Sequence, residues 1–157
     1  MNINTLTDNI AEAVAGDSGI SSWSNTNYST DHTVFINVDG DDLPGSDYCP
    51  YVIVVPDRKA AGQRTSQREH TVDVICCISD DSTRAHAGYT NIVDYQGSYN
   101  LEAFRKLVET AIVGVDVGNG TVDFELEFDT ISVFPLMWCF MRVLVLEPVT
   151  MGSDYLA

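Results

Sequence analysis

The sequence predicts an α+β fold, with two helices packed on a mostly antiparallel sheet of about five strands in the order α-β-β-β-α-β-β. Three observations carry this expectation. Two segments repeat apolar residues at helical spacing, several others are β-branched or strictly alternating, and their order sets three strands between the helices and two after them. The 157 residues fit one domain over 1–157, and a domain of this size buries roughly 68–70% of its unfolded surface.

Ile3, Leu6, Ile10, Ala13 and Val14 mark the first helix, with Asn4 or Asn2 as its cap and Gly16 just past its end. Residues 17–32 are rich in Ser, Asn, Thr, Asp and Gly and read as a loop, anchored by Trp23 and Tyr28. Thr33–Val38 is a strand, ended by Asp39-Gly40-Asp41-Asp42 and by the turn chemistry of Leu43-Pro44-Gly45. Tyr51–Val55 is a β-branched run that Pro56 stops. Beyond a polar connection, Val72, Val74, Cys76 and Ile78 alternate with Thr71, Asp73, Ile75 and Cys77, so 51–78 reads as a long hairpin with an extended tip.

Residues 80–99 read as a second polar loop, carrying Tyr89, Tyr95 and Tyr99. Asn100 then caps a helix whose apolar face is Leu101, Phe104, Leu107, Val108, Ala111 and Ile112, and Gly114 stops it. The clearest alternation sets Val122, Phe124, Leu126 and Phe128 against Asp123, Glu125, Glu127 and Asp129, giving one core face and one acidic face. Trp138 to Leu146 is apolar on both faces apart from Arg142, which suits a central strand covered on both sides.

The charge distribution is the most informative functional feature. The formal net charge is -15, the pI is near 4.1, and there are only eight Lys and Arg. Four of them, Arg58, Lys59, Arg64 and Arg68, fall in the connection between the two hairpin strands. Such acidity argues against nucleic acid as a bound partner, because phosphate recognition needs clustered cations. It suits a surface past which DNA must slide without sticking. The basic connection reads either as a polar hairpin tip or as a docking arm. The ladder Asp123/Glu125/Glu127/Asp129 reads either as a solvated face, or as one that lines an aqueous channel or receives a neighbour's basic element.

Nothing in the sequence assembles an active site. Asp39-Gly-Asp-Asp lacks the spacing and terminal Glu of a calcium loop, and His32, His70 and His86 lack zinc-site spacing. No nucleophile elbow accompanies the serines, and Gly118-Asn-Gly reads as a turn. Cys49, Cys76, Cys77 and Cys139 include no C-x-x-C pair. Adjacent Cys76 and Cys77 point to opposite faces of a strand, so reduced, buried thiols are expected. No apolar run reaches the roughly 20 residues of a membrane span, and no basic segment followed by an apolar core opens the chain, so secretion by signal peptide is not expected.

The layout is one of an N-terminal helix, a three-strand section whose hairpin carries a charged connection, and a Tyr- and Gly-bearing polar stretch. A helix beginning Asn100-Leu101-Glu102-Ala103-Phe104-Arg105 and two long strands follow. With the segment Arg68-Glu69-His70-Thr71-Val72-Asp73-Val74, this resembles the tail terminator, or tail completion, proteins of long-tailed bacteriophages. The resemblance spans most of the chain in pattern and size. It implies a subunit of a homo-oligomeric ring, commonly a hexamer, that stops growth of the tail tube and offers a surface to the head-tail connector protein. It further implies the tail tube protein as a partner, a DNA passage through the ring, a place in the virion, and neither enzyme activity nor a cofactor. Arg58, Lys59, Arg64, Arg68, Asp123, Glu125, Glu127 and Asp129 are the candidate interface residues on charge alone. The alternatives are another connector or minor tail protein, an acidic mimic of DNA, and an enzyme in which His70 or His86 meets acidic partners in a cleft.

Overall fold

The computed structural model describes residues 1–38, 41–60 and 67–148, with the side chains of 58–60 and 128–132 left aside. It contains helices α1 (Ile3–Ala15), α2 (Ser18–Tyr28) and α3 (Gly97–Val113). Its strands are β1 (Thr33–Ile36), β2 (Tyr51–Ala60), β3 (Gln67–Ser79), β4 (Thr83–Arg84), β5 (Asp94–Tyr95), β6 (Thr121–Val133) and β7 (Leu136–Pro148). Five strands form one sheet in the order β1-β2-β3-β7-β6, and β4 and β5 form a separate two-stranded hairpin. β1 runs parallel to β2, and the other pairings in the large sheet are antiparallel. The α+β class holds, but there are three helices and the sheet is mixed.

The additional helix is α2, which occupies the segment expected to be a loop. Ser and Asn compete with the backbone for hydrogen bonds and so predict loop. Here those bonds run along the helix instead. The Asp17 carboxylate accepts from Ile20 N at 2.9 Å as the N-cap, and the side-chain amides of Asn25 and Asn27 donate to the carbonyls of Ser21 and Trp23. Burial of Ile20 and a stack of Trp23 on Phe104, 5.2 Å between ring centres, hold α2 to α3. The polar stretch 80–99 likewise contains structure, the β4–β5 hairpin.

Helix α1 follows expectation: Asn2 is its cap, Gly16 ends it, and Leu6, Ile10 and Val14 are buried. Helix α3 starts at Gly97, ahead of the expected cap at Asn100, whose side-chain amide donates to Asp80 at 2.6 Å instead. Gly97 packs closely, since a Cβ there would lie 2.6 Å from the end of the Met137 side chain, which would have to shift, and 3.2 Å from the Asp80 carbonyl.

The three helices cover one face of the sheet. Beneath them Val54, Val74, Cys76, Cys139, Met141 and Val143 join Leu6, Phe104 and Val108 in the main core. The opposite face carries a smaller cluster of Tyr51, Ile53, Cys77 and Trp138, with Phe35 and Cys49 packed against it. The Tyr51 hydroxyl donates to the Pro44 carbonyl at 2.9 Å and accepts from Trp138 Nε1 at 3.2 Å, fastening the 41–50 segment over this end. Further along the strand the face is open. β7 is therefore covered on both sides only near Trp138, whereas Phe140 and Arg142 reach solvent. The expected core face of β6 is also shorter than its alternation implies. Val122 and Phe124 pack half-buried against the core, but Leu126 is 46% exposed, because the helices seat on β2, β3 and β7 while β6 is the outer strand.

Candidate functional site

The open face holds the acidic ladder, and the hairpin that borders it holds the basic residues. Asp123, Glu125 and Glu127 project to solvent from β6. Asp129 stands on the same strand opposite Trp138, with its side chain outside the described residues. The basic segment is not the free connection that the sequence suggested. Pro56 does not stop β2, because a register shift between Pro56 and Arg58 absorbs it, and the strand continues to Ala60. Arg58 and Lys59 therefore stand on β2, and Arg68 stands half-buried on β3 opposite Glu147. Arg64 lies outside the described residues.

The fold does not bring the two charged sets together. β3 and β7 lie between β2 and β6, which puts Arg58 and Lys59 roughly 14 Å from the ladder at the usual strand spacing. Among the described side chains, Arg142 is a cation that stands beside the ladder. It sits directly opposite Glu125 on β6 and Asp73 on β3. Its Nε donates to Asp73 Oδ1 at 3.0 Å, and its terminal nitrogen lies 3.7 Å from Asp57 Oδ2. The Asp73 carboxylate beside it holds the guanidinium pKa above its ordinary value. A shallow depression of about 410 Å³ follows this row, lined by Asp73, Ile75, Glu125, Glu127, Phe140 and Arg142. Sequence reasoning noted Arg142 only as an interruption. Strand alternation, read together with the pairing of β3 and β7, would have put it with Asp73.

A second exposed surface gathers at the end of the sheet nearest the β6–β7 turn. Tyr89, Ile92, Val93, Tyr95, Tyr99 and Phe134 are all more than 40% exposed. Tyr95 meets Phe134 edge-on at 5.2 Å, and the Arg84 guanidinium lies 3.8 Å from the centre of the Tyr99 ring. Arg84 also donates to Asp94 at 2.7 Å, which holds that carboxyl below its usual range. Beneath this end Asp80 ties three elements together, accepting from Tyr28 at 2.8 Å on α2, from Asn100 on α3 and from the backbone and hydroxyl of Ser82.

The histidines occupy three separate places. His32 lies against Asp31 and the Val14 carbonyl. His70 is fully buried, with Nε2 3.1 Å from Glu147 Oε2, and the N-terminal ammonium approaches the same carboxylate at 3.3 Å. His86 lies 3.5 Å from Asp94, a carboxylate already bound by Arg84. Among the described residues, no three His, Cys, Asp or Glu side chains are grouped to share a metal ion, and no helix is long and apolar enough to cross a membrane. No family model matches this chain, and no curated protein matches it at a significant level.

Proposed function

We propose that this protein is a structural subunit of a long-tailed bacteriophage, forming a closed ring at the head-proximal end of the tail tube. In this reading the ring stops tube growth, offers a surface to the head-tail connector, and leaves a passage for DNA. The observation that carries it is the segregation of charge across the sheet: cations on the β2–β3 hairpin, carboxylates on β6, and β7 between them. Different, complementary patches on one subunit make heterologous contacts, and heterologous contacts that close give rings. The exposed Tyr, Phe and Arg surface supports a second protein contact, since these residues are enriched at the centres of interfaces. The net charge of -15 suits a passage that repels the DNA backbone.

An acidic mimic of DNA would explain the same net charge. The seating of Arg142 among Asp57, Asp73 and Glu125 weighs against it, because a cation interrupts what would have to be a phosphate-like array. Negative-stain imaging with mass measurement, on the protein alone and mixed with tail tubes, tests the proposal. A ring with a central hole is expected under at least one condition. A monomer that stays unassembled in the presence of tubes overturns it.

A further inference from the structure

Strand alternation divides Cys76, Cys77 and Cys139 between the two faces of the sheet, and Cys49, just ahead of β2, packs on the face of Cys77. Cys76 faces the helices, with Cys139 opposite it in register, and both are fully buried. Cys77 faces the other way, beside Tyr51, and its Sγ lies 3.7 Å from Sγ of Cys49. The two residues are 28 positions apart, so the contact is made by the fold. Cys49 is half-buried at the rim of the small apolar cluster, where a reagent can reach it, while Cys77 lies beneath it.

We propose that Cys49 and Cys77 are a redox-convertible pair, which a small-molecule disulfide oxidises to an intramolecular disulfide fastening the 41–50 segment to the open face of the sheet. The sulfurs must approach by roughly 1.7 Å to reach the bonded distance of about 2.0 Å. The chemistry proceeds by exchange. The Cys49 thiolate attacks one sulfur of the small disulfide, forming a mixed disulfide and releasing one small thiolate. The Cys77 thiolate then attacks the Cys49 sulfur, forming the protein disulfide and releasing the second. The two protein thiols lose two protons and two electrons, and the reagent takes up both as two thiols. Within the pair the hydrogen bond from Cys49 holds the Cys77 thiol below its ordinary pKa despite burial, and the same bond together with burial holds Cys49 well above its own, so the first attack draws on a small thiolate fraction of the accessible cysteine and is slow at neutral pH. The proposal rests on the proximity of the two sulfurs. Cys76 and Cys139 make the internal contrast in access: both are fully buried on the other face, with the helices between them and any reagent.

The test begins with fully reduced protein exposed to oxidised glutathione, trapped by alkylation and read by intact mass and peptide mapping. The expected product loses the mass of two hydrogens, keeps two alkylatable thiols of the original four, and yields a Cys49–Cys77 linked peptide. Cys49→Ser and Cys77→Ser each abolish the link, whereas Cys139→Ala retains it. The oxidised form melts several degrees higher, and reductant reverses the shift. A chain that keeps all four thiols overturns the proposal. So does one that stops at a glutathione adduct on Cys49, or that links any other cysteines within or between chains.

Discussion

Asp80, which sequence reasoning did not select, accepts hydrogen bonds from Tyr28, Ser82 and Asn100. Its partners Tyr28 and Asn100 lie 52 and 20 positions away, so no local pattern reveals it. Removing the carboxylate in Asp80→Ala leaves the Tyr28 hydroxyl and the Asn100 amide without their acceptor, and should cost about 1–3 kcal/mol in chemical denaturation. A variant that unfolds with the parent would show the hub to be dispensable. Burial alone would raise the Asp80 pKa, but the hydrogen bonds from Ser82, Asn100 and Tyr28 outweigh it and hold the carboxyl below its ordinary value. Glu147 follows the same pattern, with burial opposed by the bonds from His70 and the N-terminal ammonium. A carboxyl with a lowered folded pKa adds stability that is complete above the unfolded value, about 4, and is lost as pH falls through the folded one. Thermal stability should therefore fall below about pH 4, and Asp80→Ala should flatten part of that fall.

At the scale of elements, strands were more legible than helices. The alternation through β3 and β6 named the face of almost every residue, including the opposite orientations of Cys76 and Cys77. It could not give strand order, and strand order decides that Arg142 stands beside Asp73 and Glu125 while Arg58 and Lys59 stand three strand spacings from the ladder. The limits of β2 and β3 were misjudged because Pro56 reads as a stop, although a bulge on a strand open along its outer edge accommodates it. Helix α2 was missed because its stability comes from packing, with a propensity that is poor residue by residue. Trp23→Ala should accordingly cost about 2 kcal/mol, less than a fully buried tryptophan because the ring is half-exposed. It should also lower the helical signal in circular dichroism beyond the loss of one residue. A change of a few tenths of a kcal/mol would mean that α2 is held by something other than its stack on Phe104.

At the scale of the whole molecule, the account rests on where charge is placed relative to the sheet. Composition made the excess of acid and the clustering of cations legible, and the fold sets β7 between the β2–β3 hairpin and the acidic strand β6. Chelators should leave the melting temperature unchanged, since no grouping of ligands has metal geometry among the described residues. A fall of many degrees would reveal a bound ion. Assembly should weaken as salt rises, because contacts between exposed charges are screened beyond about 10 Å at 0.1 M. Each exposed pair contributes only about 0–1 kcal/mol, but several together set register and partner choice.

The most direct measurement of the central claim is the assembled mass of two charge-reversed variants, apart and mixed. One carries Arg58→Glu with Arg64→Glu, and the other carries Glu125→Arg with Glu127→Arg. Both should fold, since Glu125 and Glu127 are exposed and the change at Arg58 and Arg64 exchanges one charged side chain for another, and each alone should fail to form rings or to join tail tubes. Mixed in equal amounts they should restore a closed ring of alternating subunits, because each reversed patch then meets its reversed complement. Normal assembly by either variant alone would contradict the account, as would a mixture that stays monomeric while the parent forms rings.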